Sequence, residues 1–250
     1  MFGAPFVPHG TIRPEIDALI RQGEADFLRV LEPEPLQFGP GSLLMRMGEE
    51  HEYVYVIEQG WLARTRMIND GRREIMILLL SGDVCSLKAI FLRHQPDAIE
   101  ALTQASVRRV HHKIACALAA ENFGVAMLFA WQLADEERHL HNWTLRLGRA
   151  NAEERLAAFL VDMRDRFRFR SIDTSGSIPM PITQQEIADH VGLTMMHVNR
   201  VLRRFREREM VELRQGRAWF LDNASALYAL ARPVRDVVSL MEGGTDAANR

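Results

Sequence analysis

Residues 182–206 read ITQQEIADHVGLTMMHVNRVLRRFR, and this stretch decides how the rest of the chain is understood. Apolar residues recur at helical spacing on both sides of Gly192: Ile187, Ala188 and Val191 before it, Val198, Val201 and Leu202 after it. Thr183 is placed to cap the first helix, with Glu186 three residues on to complete a capping box, and Thr194 to cap the second. Gly192 stands where a helix must stop and the chain must turn sharply. The exposed face of the second helix carries His197, Asn199, Arg200, Arg203 and Arg204, and residues 194–206 hold four arginines and no acid. A helix-turn-helix with a cationic second helix is built to enter a major groove. An ordinary helical hairpin with a solvated basic face shows the same pattern in isolation. The residues downstream favour the first reading: residues 210–213 (MVEL), a turn at Gln215-Gly216 and residues 218–221 (AWFL) form a two-stranded wing.

At 250 residues the chain holds one large or two ordinary domains, with length enough for buried cores. An apolar content of 47% and a charged content of 26% belong to a soluble globular protein. The net charge of −2 does not point to nucleic acid, but its distribution does: residues 178–221 carry seven arginines against five acids, with the arginines gathered on one helix. Cys85 and Cys116 are too few and too far apart for a disulfide framework, a zinc finger or a four-cysteine cluster, and read as thiols in a reducing compartment. No apolar run approaches the roughly 20 residues needed to span a bilayer. The start, MFGAPFVPHGTIRPE, lacks the basic and apolar regions of a secretion signal, so the expected location is the cytoplasm.

Residues 1–35 read as a loose arm and one helix near 15–31, ending at Pro33 and Pro35. From residue 36 to about 110 the period changes to two. Residues 53–57 (YVYVI), 61–67 (WLARTRM) and 74–80 (EIMILLL) are strand-like, punctuated by Pro40-Gly41, Gly48, Gly60, Asn69-Asp70-Gly71 and Gly82. Such spacing suggests a sandwich or a double-wound β-roll, with Asp70-Gly71 as a tight hairpin. A metal-dependent roll enzyme would need clustered histidines on neighbouring strands; His51 stands alone there with Tyr53 as its i+2 neighbour, so no metal is expected. The adjacent His111 and His112 would point to opposite faces of a strand. Between residues 114 and 150 the period returns to 3.6 over one long stretch. Leu133, Leu140 and Leu147 recur every seven residues, with Phe129, Trp143 and Ala150 as companions and Glu136 as the one polar interruption. A helix of that length cannot bury the stripe by itself, which suggests a dimer seam; the alternative is a core helix packed on its own domain. His139 and His141, two apart, cannot share a face. A further helix spans residues 152–169, with Leu156, Phe159, Leu160 and Met163 as its stripe. The polar loop 171–177 and Pro179/Pro181 then lead into the helix-turn-helix. Beyond Arg232 an amphipathic piece at residues 234–241 precedes a disordered end, GGTDAANR.

The order of roll, long helix, hinge helix and winged helix-turn-helix resembles the Crp/Fnr family of bacterial transcription regulators over roughly residues 36–222. Gly48, Gly60, Gly71 and Gly82-Asp83 fall at the family's turn positions. Residues 151–159 (NAEERLAAF) are similar to the opening of the DNA-binding domain in its oxygen-responsive branch. Residues 182–188, Gly192-Leu193-Thr194 and Arg200-Val201-Leu202 are similar to its helix-turn-helix. The resemblance is to the Fnr/FixK-like branch, without the iron–sulfur cysteines, since residues 1–50 contain no cysteine. It implies an α+β fold: an N-terminal double-wound β-roll (a cyclic-nucleotide-binding-like jelly roll), a long dimerisation helix and a C-terminal winged helix-turn-helix. The expected divisions are an arm and helix at 1–35, a roll sensor at 36–113, a dimerisation helix at 114–150, a DNA-binding domain at 151–232 and a tail at 233–250.

The resemblance further implies a homodimer whose recognition helices read inverted half-sites of double-stranded DNA about one turn apart, with RNA polymerase as a further partner and no membrane. Arg200 falls on the family's base-reading arginine, suited to bidentate donation to guanine. Thr183, Thr194 and Arg204 would contact phosphates. Gln184, Gln185, Met196, His197, Asn199 and Arg203 complete the expected DNA-contacting set. Met196 stands where most of the family carries a glutamate that accepts from cytosine; methionine cannot, and His197 and Asn199 are candidate replacements. The dimer interface would use Phe129, Leu133, Glu136, Leu140, Trp143 and Leu147, and an effector pocket would involve Gly82, Asp83, Ser86 and Leu87. Cyclic-nucleotide members carry a glutamate where Leu87 stands and, after it, an Arg-Ser or Arg-Thr pair that does not occur between Gly82 and Leu102 here, which argues against cyclic AMP. A haem ligand at Cys85, His94 or His111, another small molecule, a thiol switch at Cys85 or Cys116, or no ligand all remain open. No catalytic residue and no cofactor is expected. The competing reading is a small-molecule or cyclic-nucleotide sensor whose winged helix makes protein contacts; it calls for a neutral recognition helix, against four arginines here.

Overall fold

The computed structural model describes residues 12–170 and 172–235, which fall into two compact units, Met1–Arg138 and His139–Arg250. The first opens with α1 (Pro14–Arg29), with Pro14 at its first position where a missing N–H costs nothing. Eight strands come next: β1 (Leu36–Phe38), β2 (Leu43–Met45), β3 (Tyr53–Gln59), β4 (Leu62–Met67), β5 (Arg73–Leu79), β6 (Val84–Cys85), β7 (Ala98–Ala101) and β8 (Ala105–His111). A 3-10 turn at Leu87–Ile90 separates β6 from β7. The strands form two antiparallel sheets ordered β1-β8-β3-β6 and β2-β7-β4-β5, a double-wound roll.

Strand β3 shows why the roll holds together. Tyr55 and Ile57 face Met45, Leu62, Leu79, Ile99 and Val107 between the sheets, while Val54 and Val56 face the helices with Ile20, Phe27, Leu128 and Phe129. A strand buried on both faces is an apolar run rather than an alternation, which is how residues 53–57 read. The β4–β5 hairpin turns at Gly71 (φ +87°), whose N–H donates to the Ile68 carbonyl at 2.9 Å. A positive φ of this kind suits glycine.

The period of 3.6 after the roll resolves into two helices rather than one. Helix α2 (His112–Glu121) and helix α3 (Phe123–Arg149) meet at 119°. Asn122 ends α2 in an extended conformation, and its side-chain oxygen accepts from the Val125 N–H that opens α3 (3.3 Å), a local bond that competes with helix continuation. The strand also ends at His111, so His111 and His112 do not diverge; their rings stack with centroids 4.5 Å apart. No single described helix is long and apolar enough to cross a membrane, and among the described residues no group of three or more His, Cys, Asp or Glu could hold a metal ion.

Helix α1 crosses the start of α3 at backbone contact. A Cβ built on Gly23 would lie 2.1 Å from the Gly124 carbonyl carbon, and one on Gly124 would lie 2.6 Å from the Leu19 oxygen. Beside that crossing Phe27 meets Phe129 edge-on, with centroids 5.1 Å apart at 89°, a geometry worth about 1 kcal/mol beyond the area it buries.

The second unit is built on α4 (Ala152–Phe169). Asn151 caps it with a full capping box: its side chain accepts from Glu153 and Glu154 N–H, and Glu154 accepts from the Asn151 N–H. Leu156, Phe159, Leu160 and Met163 are buried on its inner side. Helices α5 (Gln184–Val191), α6 (Met195–Glu207) and α7 (Ala224–Ala231) pack on α4. The wing has three strands rather than two. Strand β9 (Ser177–Pro179) joins β10 (Val211–Arg214) and β11 (Arg217–Phe220) in the order β10-β11-β9. Arg217 fixes it by donating to the Ser177 hydroxyl (2.8 Å) and carbonyl (3.2 Å), and Pro179 is tolerable because the strand lies at the sheet edge. Of the expected amphipathic piece at 234–241 only Val234, which ends a 3-10 turn, and Arg235 are described; residues 236–250, with the end GGTDAANR, lie outside the described residues, as do residues 1–11 of the arm.

The crossing of α1 on α3 makes a direct prediction. Gly23→Ala should lower stability by about 2 kcal/mol or more, because the obstacle is backbone and cannot rotate away. Gly148→Ala, with nothing within 4 Å of the added carbon, should be neutral or gain up to about 1 kcal/mol. Urea unfolding of the two variants checks both; equal midpoints would remove the close approach as a constraint.

Candidate nucleic-acid interface

Helix α6 is amphipathic, and burial settles which face is which. Val198, Val201, Leu202 and Phe205 are buried; Met195, Met196, His197, Asn199, Arg200, Arg203, Arg204 and Arg206 are exposed. The entry to it is built by local chemistry. Thr183 and Glu186 form the capping box of α5, with Thr183 N–H donating to the carboxylate at 2.6 Å and Glu186 N–H to the hydroxyl at 3.2 Å. Gly192 ends α5 in the left-handed conformation at φ +65°. Thr194 caps α6, accepting from the His197 N–H at 3.3 Å.

The ten residues expected to contact DNA lie together on this surface but are not equally available. Gln184 accepts from the Asn199 amide at 3.0 Å, and Gln185 donates to Asp189 at 2.6 Å. The His197 ring lies 3.1 Å from the Thr194 hydroxyl. Arg203 makes a loose, exposed ion pair with Glu207 at 3.8 Å. Arg204 reaches back to the start of α4 and pairs with Glu153 at 2.9 Å, and Arg208 joins the same carboxylate at 3.2 Å. Arg200 is exposed with no ion pair or hydrogen bond to any described residue, and Met196 is 71% exposed.

Glu153 and Arg208 were not legible as parts of the site. The only sequence signal for Glu153 is an acid in the first turn of a helix, which the helix dipole explains by itself. Arg155 was also missed. Its guanidinium donates to the carbonyls of Leu147 (3.0 Å), Ala150 (3.0 Å) and Gly192 (3.2 Å), joining the end of α3 to the turn between α5 and α6.

The expected dimer residues divide in two. Phe129 is buried in its own core against Phe27, and Glu136 pairs with the buried Arg64 and with Lys88 (3.3 Å). Within the chain those two side chains therefore face the roll, as a core helix would. Leu133, Leu140, Trp143 and Leu147 are half-buried; the Trp143 indole N–H donates to the His190 carbonyl at 3.0 Å.

The expected effector residues do structural work. Gly82 turns at φ +90° with its N–H on the Ile57 carbonyl (2.8 Å), and Asp83 accepts from the Leu80 N–H (2.8 Å). Ser86 sits at φ +66° with its hydroxyl on the Met45 sulfur (3.5 Å), and Leu87 is buried. Around them lies a charged cluster: Arg64 with Glu136, Lys88 with Glu136 and Asp97, and Arg66 with Asp97 at 2.6 Å. Cys85 is buried, and loss of solvent pushes its thiol up to about 12; Cys116 is exposed.

A sensor-type roll, a long helix and a winged helix-turn-helix with an open cationic face define a transcription regulator that binds DNA. Comparison with known proteins agrees on family and fold. Residues 35–122 match the cyclic nucleotide-binding domain family and residues 154–230 the Crp-like helix-turn-helix domain family. The fumarate and nitrate reduction regulatory proteins of Salmonella typhi and Escherichia coli K12 are 28% and 27% identical over 204 residues, 82% of this chain and 80% of each relative. The solved structure of FixK2 from Bradyrhizobium japonicum is 29% identical, with a TM-score of 0.73 over 80% of this chain and 97% of that one. The chain belongs to the Crp/Fnr family: it is a DNA-binding transcriptional regulator modulated through its sensory roll. The relatives are regulators, not enzymes.

Two measurements check this geometry. Iodoacetamide at pH 8 should label Cys116 in the native protein and Cys85 only after unfolding, since only the thiolate reacts and burial disfavours it; prompt labelling of both would show that the roll interior opens. Glu153→Gln should release Arg204 and Arg208, raising DNA affinity at low salt and steepening the slope of log K against log salt by about one to two. Unchanged affinity and slope would mean that the carboxylate does not compete with phosphate.

Proposed function

We propose that the protein acts as a homodimer on an inverted-repeat promoter site, each α6 entering the major groove of one half-site. The observation that carries this is Arg200: exposed, without a described partner, one turn beyond the start of a helix whose opposite face is fully buried. A guanidinium left free in that place has the fork needed for the two major-groove acceptors of guanine. Thr183, Gln184, Gln185, Thr194, Arg203 and Arg204 lie around it as phosphate and register contacts, Arg204 exchanging Glu153 for phosphate. The dimer forms along α3, with Leu133, Leu140, Trp143 and Leu147 as its apolar stripe. The working divisions are the roll at 36–113, the dimerisation segment at 114–150, narrowed to α3, and the DNA-binding domain at 151–232.

The roll signals through something other than a cyclic phosphate. The cassette at residues 82–91 offers no arginine, and the arginine buried nearby, Arg64, is already paired with Glu136. The protein works in the cytoplasm, where bacterial DNA lies, and acts on RNA polymerase as its protein partner.

Selection from a random duplex library with purified protein should return an inverted repeat, and Arg200→Ala should abolish the preference. Arg203→Ala should weaken binding to all sequences alike and reduce the salt slope by about one. A sequence-blind wild type, or an Arg200→Ala variant with unchanged preference, would overturn the proposal.

A further inference from the structure

We propose that Met196, supported by Met195, selects a thymine in each half-site by packing on its C5-methyl group. This rests on the reading of α6 as the base-reading helix and names one base it prefers. Met196, Arg200 and Arg203 are spaced i, i+4, i+7 and share one exposed face of α6. The first residues of a recognition helix are the ones that meet base edges. At that end Met196 is 71% exposed and Met195 49% exposed, so two unbranched thioethers stand in solvent at the tip of the helix.

The polar neighbours that could have taken the base contact instead are engaged within the domain. The Asn199 amide donates to Gln184 at 3.0 Å, and the His197 ring is held 3.1 Å from the Thr194 hydroxyl that caps the helix. Through the Asn199 Nδ2 and the His197 Nδ1 both side chains are tethered to residues of their own domain, whereas the methionines are not. What remains at the tip is an apolar probe with three rotatable bonds, able to adapt to a groove floor. The C5-methyl of thymine is the apolar group that the major groove presents, and apolar side chains recognise it by contact. Arg200, one turn along, then sets the distance: the thymine lies within a base pair or two of the guanine that Arg200 reads. A protein partner seated on the methionines is the competing occupant.

The test uses the full chain and the duplex returned by selection. Each thymine of the half-site is replaced, symmetrically, by deoxyuridine, which removes the methyl group and nothing else. Wild-type protein should lose roughly fourfold affinity per half-site at one thymine next to the Arg200-dependent guanine, about fifteenfold for the pair of half-sites. Met196→Ala should lose the same affinity on the thymine duplex and become indifferent to the replacement, and Met196→Leu should keep the discrimination. Met196→Glu should move the preference at that position from thymine to cytosine. Equal binding of thymine and uracil at every position by wild type, with an inverted repeat still selected, would overturn the methyl contact and leave the regulator reading intact. No sequence preference at all would overturn both.

Discussion

The guanidinium of Arg155 is the fastening on which the DNA-binding unit depends. Its donors reach the Leu147 and Ala150 carbonyls, which lie at the end of α3 where a helix has orphan acceptors and a negative dipole end. A third donor reaches the Gly192 carbonyl in the turn before the recognition helix. Leu147 closes on that turn so tightly that a Cβ on Gly192 would lie 2.5 Å from its Cδ2, and Trp143 adds a bond to the His190 carbonyl. Gly192 is thus constrained twice, by its left-handed backbone and by the side chain packed above it. The last turns of α3 and the α5–α6 turn consequently move as one body, and the position of the recognition helix is tied to the end of α3.

In the first unit a comparable role falls to charge. Arg64 is buried on β4, and a guanidinium out of water is tolerable only with a partner; Glu136 supplies it from α3. Lys88 bridges Glu136 to Asp97, and Asp97 also holds Arg66, so the sheet, the 3-10 turn and the helix are linked through one set of ions. Removing one member leaves a buried charge uncompensated, which costs several kcal/mol in comparable sites. This explains the polar residue in an otherwise apolar stripe: Glu136 interrupts it because Arg64 and Lys88 of the roll stand beside it.

On the recognition helix the same competition between internal and external partners sorts the side chains. Arg204 and Arg208 share Glu153, Asn199 is held by Gln184, and His197 lies against Thr194, which leaves Arg200 and Arg206 without a polar partner among the described residues, beside the exposed Met195 and Met196. An arginine-rich helix is attracted to any phosphate; one that restrains part of its charge internally relies more on the few side chains that stay free.

Features that depend on neighbours within a turn or two are legible in the order of the residues alone. Both helices of the helix-turn-helix, the Thr183–Glu186 capping box, the Thr194 cap, the left-handed Gly192 and the Gly71 hairpin are all short-range choices, made by backbone preference and periodicity. Tertiary structure decided everything that depends on partners far along the chain. The break at Asn122 is joined to Asp26, 96 residues away; the third wing strand depends on Arg217 reaching Ser177; Glu136 finds Arg64 across 72 residues, and Arg204 finds Glu153 across 51. Periodicity marks which face of a helix is apolar without saying what lies against it, and a row of arginines shows charge without showing which members are already paired. Local patterns are written in the order of the residues, whereas the partners of Arg64, Arg155 and Arg204 exist only once the chain has closed on itself.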